Sequence, residues 1–167
     1  MNYQREIERT HKLIWAAREA LEEVWPTPPP RDCLLFAIAE CGELIEALVY
    51  YENDKYSPNR KQEDFLDELA DVVIMILSVK REEAIPVHKY YDGYDRQSSI
   101  WEAFLMLEEV MGAYSYYPNV NHLSLAIVRA VCWPSFDMYE RVRDRLARIA
   151  YKRGKLNEFL GVIRKLA

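Results

Sequence analysis

The sequence predicts an all-α protein, an antiparallel helical bundle of about five to six helices in a single domain over residues 1–167. Three observations predict it. Only 5 glycines stand against 8 prolines, too few turn residues for a sandwich or barrel whose strands need punctuation roughly every ten residues. Apolar residues recur at helical spacing, and no stretch alternates with a period of two. Half of the 167 residues are hydrophobic and 29% are charged, a composition that fills one core and is far from that of a disordered chain.

A first amphipathic helix is expected from about Tyr3 to Val24, with Ile7, Leu13, Ile14, Ala17 and Leu21 near one face. Pro26 stops it, and Pro26-Thr27-Pro28-Pro29-Pro30 is a stiff connector. Asp32 is the expected cap of a second helix, about Cys33 to Tyr51, which is apolar almost all round. Asn53-Asp54 and Ser57-Pro58-Asn59 form a loop, and a third helix runs from about Gln62 to Glu83, ending before Pro86. Val87 to Ser99, with Asp92-Gly93, reads as an irregular surface loop. Ser98 or Ser99 then caps a fourth helix that reaches about Tyr116 and is broken by Pro118-Asn119. A short fifth helix covers about His122 to Cys132, Trp133-Pro134 interrupts, and a long last helix runs from about Phe136 to Lys165, with Gly154 as its point of break.

Two stretches echo each other. Glu43 to Tyr51 lines up with Glu109 to Tyr117, and Leu69 to Leu77 with Leu123 to Val131. A duplicated helix pair whose second copy has lost its acids would explain this, as would coincidence between amphipathic helices.

The net charge of -5 argues against a surface built for nucleic acid. The charge is divided unevenly, because Glu140 to Ala167 holds 9 Lys and Arg against 3 Asp and Glu, leaving 13 against 24 in residues 1–139. Such a division suits a ligand that carries anionic groups together with metal ions. Met1 to Glu6 lacks the apolar core of a signal peptide and no uncharged apolar run approaches the ~20 residues that span a bilayer, so a soluble, cytoplasmic protein is expected, without a membrane partner. Cys33, Cys41 and Cys132 make neither a C-x-x-C pair nor an even set, and read as reduced core thiols. His11, His88 and His122 are too scattered to indicate zinc.

Chemistry concentrates in two acidic signatures on neighbouring helices, Glu40-Cys41-Gly42-Glu43 and Glu68-Leu69-Ala70-Asp71. Side chains at i and i+3 rise from one helix face, so each signature presents two carboxylates together. Glu40 and Glu43 interrupt the apolar run Leu34 to Ile45, and Glu68 shares the apolar arc with Met75 and Val79. Burying several carboxylates requires a compensating cation. Four oxygen ligands without nearby histidine or thiolate suit Mg²⁺ or Mn²⁺. A di-iron site would need Glu-x-x-His twice, and Glu8-Arg9-Thr10-His11 supplies it once, in another helix.

Glu40-x-x-Glu43 followed by Glu68-x-x-Asp71 resembles the signature of the all-α nucleoside triphosphate pyrophosphohydrolases, the superfamily of the MazG proteins and the dimeric dUTPases. Glu40 to Glu46 is similar to the first acidic motif of the dUTPase group. Arg153-Gly154-Lys155-Leu156-Asn157-Glu158-Phe159 is similar to a weakened form of its C-terminal Lys-Asn-x-Leu-Asn-x-Phe-Arg element, with Arg153 for the first Lys and Leu160 for the final Arg. The resemblance implies Mg²⁺-dependent cleavage between the α and β phosphates of a (deoxy)nucleoside triphosphate, dUTP or a non-standard nucleotide among them. It implies Glu40, Glu43, Glu68 and Asp71 as metal ligands, Lys152, Arg153, Lys155 and Asn157 as phosphate contacts, and a homodimer. Relatives often carry an acid just before the first ligand; Ala39 stands there, and Glu46 is the substitute general base, with Glu43 as its catalytic neighbour.

Arg141, Arg145, Arg148, Lys152 and Lys155 form one stripe of the last helix, able to clamp phosphates or simply to meet solvent. Tyr50-Tyr51 and Tyr114, Tyr116 and Tyr117 suit nucleobase stacking or core and interface packing. A tyrosine run replaces the tryptophan-rich run of dimeric dUTPases, which weighs against uracil. His11 and Trp25 are candidate base contacts through the first helix, which reads the base in relatives. The alternative reading is a catalytically weak nucleotide-binding or regulatory helical protein.

Overall fold

The computed structural model describes residues 3–53, 62–82, 84–86 and 99–166. Within them lie seven α-helices: α1 (Tyr3–Leu21), α2 (Pro30–Glu52), α3 (Gln62–Leu77), α4 (Ile100–Ser115), α5 (Val120–Val131), α6 (Met138–Lys152) and α7 (Leu156–Leu166). The all-α class is as expected, and the count exceeds five to six because the last predicted helix is two. At its break Gly154 takes φ +70. The Gly154 amide donates to the Tyr151 carbonyl at 3.0 Å and the Lys155 amide to the Ala150 carbonyl at 2.8 Å, a Schellman cap that glycine adopts without a Cβ penalty.

Other boundaries also follow local chemistry. α2 begins at Pro30, where a proline needs no amide partner, so Asp32 sits in the first turn instead of capping it. Ser99, Asn119 and Asp137 cap α4, α5 and α6, their side chains accepting from Glu102, from Asn121 and His122, and from Glu140. α3 ends at Leu77, short of the expected Glu83. There the Trp15 indole donates to the Leu77 and Lys80 carbonyls at 3.2 and 3.0 Å, and the His11 ring meets the Lys80 carbonyl at 2.7 Å. Loop positions Asp54, Ser57-Pro58-Asn59, Asp92-Gly93 and Ser98, with His88, lie outside the described residues.

α2 and α3 form the largest helix pair, α4 packs on α2, and α5 on α4. Tyr51, late in α2, meets Phe65, early in α3, ring edge to face at 5.0 Å, so the two run antiparallel. α1 and α6 run side by side in the same direction. Arg9 covers the Tyr139 ring at 3.7 Å near one end, and Arg153 donates to the Val24 carbonyl at the other. Along α3, Leu69, Ala70 and Val72 to Leu77 are buried, at about 25 cal/mol for each Å² of apolar surface taken from water. The three cysteines are buried and free, as expected of core thiols. Among the described residues no helix is long and apolar enough to cross a membrane.

Candidate active site

Antiparallel packing brings the middle of α2 against the middle of α3. There one carboxylate oxygen from each of Glu40, Glu68 and Asp71 lies within 4.8 Å of the others. Glu68 and Asp71 share a face of α3 by their i,i+3 spacing, and Asp71 is 9% exposed. Burial is the first cause of raised pKa at all three. At Glu40 it combines with the charges of Asp71, Glu43 and Glu68, against partial relief from Arg145, and lifts the carboxyl from 4.5 to about 7. Glu68 is raised by burial and then by Asp71. Asp71 is raised by burial although its bond to Arg145 opposes the rise. The protein's own cations therefore leave the cluster's negative charge incompletely compensated.

α6 supplies the opposite wall. Arg145 forks onto Asp71, with Nε donating to Oδ1 at 2.8 Å and a terminal nitrogen to Oδ2. Arg148 makes the same fork on Asp67, with both bonds at 2.6 Å. These two pairs lock α6 antiparallel to α3. Beside the first opens a cleft of about 480 Å³ lined by Glu40, Asp71, Met75, Arg145, Lys152, Arg153 and Trp25. Trp25 lies in the connector after α1, its ring stacked on the Arg18 guanidinium at 4.1 Å. Arg18 is 1% exposed and donates to Ser78 Oγ at 2.8 Å.

The structure thus brings Glu40, Glu68 and Asp71 together and leaves Glu43 outside, exposed one turn further along α2. Glu43 stays near enough for its charge to raise both Glu40 and Glu68. Glu46 is exposed and lines no part of the cleft. Lys152 and Arg153 line it, whereas Lys155 pairs with Glu158 at 3.2 Å and Glu23 at 3.8 Å, and Asn157 is exposed on α7. Of the candidate base contacts, Trp25 reaches the cleft and His11 is bound to the end of α3. Tyr51 packs on Phe65, Tyr114 lies beneath Arg31 at 4.6 Å, and Tyr116 and Tyr117 are exposed.

Arg145 is the site residue that was not singled out in the sequence. Its membership of the α6 basic stripe was visible, but its partner depends on how α6 docks against α3. The echoed helices carry a counterpart network: Glu109 and His122, which align with Glu43 and Glu68, are bonded at 3.1 Å, and Arg129 meets Glu102 at 2.8 Å and Glu109 at 3.7 Å. Both acids of this network meet the Arg129 guanidinium, whereas between α2 and α3 only Asp71 of the three clustered acids is forked by an arginine. No family model, curated protein or solved structure matches the chain.

Proposed function

We propose that the protein is a Mg²⁺-dependent nucleoside triphosphate pyrophosphohydrolase, cleaving between the α and β phosphates of a (d)NTP to give the monophosphate and pyrophosphate. One observation carries the reading: Glu40 and Asp71 of a half-buried all-oxygen cluster line one cleft together with the basic side chains Arg145, Lys152 and Arg153. The donor set fits a hard divalent ion, Mg²⁺ or Mn²⁺. Oxygens ~2.1 Å from a shared ion lie at most about 4.2 Å apart, so a cluster already inside 4.8 Å closes with small side-chain rotations.

Glu40, Glu68 and Asp71 would hold the ion, and Glu43 stands at the rim as a fourth carboxylate. When bound, the ion neutralises triphosphate charge and lowers the pKa of an attacking water. Lys152 and Arg153 hold and orient phosphate oxygens. Trp25, braced by Arg18, offers an aromatic contact for a base. Proton acceptance falls to a carboxylate beside the water that does not itself hold the ion; Glu43, whose charge reaches both Glu40 and Glu68, is better placed for this than Glu46. A cytoplasmic setting, where such nucleotides are used, accompanies the reading. Trp101, Phe104 and Met111, exposed on α4, offer an apolar face for a homodimer, measurable by light scattering.

Purified protein with Mg²⁺ should release pyrophosphate from at least one member of a panel of canonical, uracil-containing and oxidised nucleoside triphosphates. Glu68→Gln and Asp71→Asn should abolish release while retaining the helical circular dichroism spectrum. Release of orthophosphate alone would assign a different bond. The engagement of both Asp71 oxygens by Arg145 favours one second reading, a weak or non-catalytic nucleotide binder. It predicts metal-dependent binding of a triphosphate that stays intact for hours.

A further inference from the structure

We propose that Arg145 is a phosphate-binding residue held in reserve on Asp71, released to the substrate when a divalent ion takes its place. The proposal deepens the reading above and rests on its assignment of the acidic cluster as a cation site.

The geometry sets up a competition. Both Asp71 oxygens are taken by the Arg145 fork, one bond at 2.8 Å from Nε and one from a terminal nitrogen. One of Asp71's oxygens also belongs to the three that cluster with Glu40 and Glu68. An ion drawing on Asp71 competes with the fork: it withdraws electron density from the oxygen the two would share and sets a second positive charge against the guanidinium, so the fork weakens. The freed guanidinium stays in the same cleft as Lys152, seven residues and about two turns further along the same face of α6. A planar two-pronged donor matches two oxygens of a phosphate as well as it matches a carboxylate. The ion therefore prepares the cleft for the anion twice, by its own charge and by returning a cation that the protein had spent on Asp71.

An internal comparison lies one turn away. Arg148 makes an equally regular fork on Asp67, but Asp67 is outside the oxygen cluster and Arg148 outside the cleft lining. Replacing either arginine by lysine keeps the positive charge, and with it the repulsion of an ion, but removes a fork; only the Arg145 fork occupies an oxygen of the cluster. Because coupling between two ligands is reciprocal, the effect must appear in metal binding without anion and in anion binding without metal.

Calorimetry on the full chain tests both halves, with Mn²⁺ alone as one probe and inorganic tripolyphosphate in EDTA as the other. Arg145→Lys keeps the charge but cannot fork, so it should bind Mn²⁺ about five- to tenfold more tightly than wild type, while Arg148→Lys stays within twofold. Asp71→Asn frees Arg145 without a metal and should bind tripolyphosphate about five- to tenfold more tightly. Glu68→Gln removes the same charge without touching Arg145 and should gain about twofold or less on the same coupling argument. Arg145→Gln added to Asp71→Asn should remove the gain.

Equal Mn²⁺ affinities for wild type and Arg145→Lys, equal shifts for Arg145→Lys and Arg148→Lys, or a tripolyphosphate gain that survives loss of Arg145 would each overturn the proposal. Should Asp71→Asn lose its fold by circular dichroism, the Mn²⁺ comparison decides alone. Failure of every form to bind Mn²⁺ would remove the cation site and this proposal together. Affinity shifts of the expected pattern with no nucleotide cleaved would remove the hydrolase reading and leave Arg145's role standing.

Discussion

Replacing Glu40 by Gln should stabilise the metal-free protein at pH 8 while removing its response to Mg²⁺. The magnitude comes from the rise of the Glu40 carboxyl from 4.5 to about 7 in the fold, which corresponds to ~3 kcal/mol of penalty on the ionised form. Glu40 is half-buried, so solvent screening reduces this to ~1–2 kcal/mol, or about 2–8 °C in Tm for a domain of this size. A folded-state pKa above the unfolded one adds no penalty below pH 4.5, where the group is protonated in both states. The loss of stability develops as pH rises from 4.5 through about 7 and is complete above it. Wild type and Glu40→Gln should therefore melt together near pH 4, and the variant should melt higher at pH 8 in EDTA. Millimolar Mg²⁺ should raise wild type at pH 8, where it binds the folded state, and leave the variant nearly unmoved. A variant less stable than wild type in EDTA at pH 8, or an equal Mg²⁺ shift in both, would refute the reasoning.

Three further predictions concern the scaffold. A Cβ at Gly112 would lie 2.7–3.0 Å from the His122 ring, which is itself bonded to Glu109, so Gly112→Ala should cost ~1–3 kcal/mol by chemical denaturation. Gly154→Val imposes a branched side chain at φ +70, and should destabilise by ~1–2 kcal/mol with little change in Mn²⁺ affinity. Arg129→Met removes the guanidinium shared by Glu102 and Glu109, whose side chains are 11% and 15% exposed, and leaves Glu109 its bond to His122. That change should cost ~1.5–3 kcal/mol, again without altering Mn²⁺ binding, because its ion pairs lie between α4 and α5.

Much of the bundle was legible because its punctuation is local. Pro26, Pro118-Asn119 and Pro134 end or interrupt helices whatever surrounds them, and Gly154 marks a turn that few other residues adopt. The end of α3 was not legible, since the carbonyls of Leu77 and Lys80 are taken by Trp15 and His11, more than 60 residues away in sequence. In the site, the apolar neighbours of Glu40 and Glu68 disclosed their burial, and the spacing of Glu68 and Asp71 disclosed their shared face. Spacing within α2 could not say which of Glu40 and Glu43 turns toward α3; packing rotates Glu40 in and leaves Glu43 exposed. Likewise the α6 stripe announced basic residues without their partners. The turn at Gly154 points Lys155 toward Glu23 and Glu158 and keeps Lys152 and Arg153 at the cleft.

The most direct measurement is anomalous diffraction at the manganese edge from crystals soaked in Mn²⁺ at pH 8. The account predicts a peak between α2 and α3 with oxygens of Glu40, Glu68 and Asp71 about 2.1–2.3 Å from it. Manganese bound only elsewhere, with Arg145 still forked on Asp71, would contradict it.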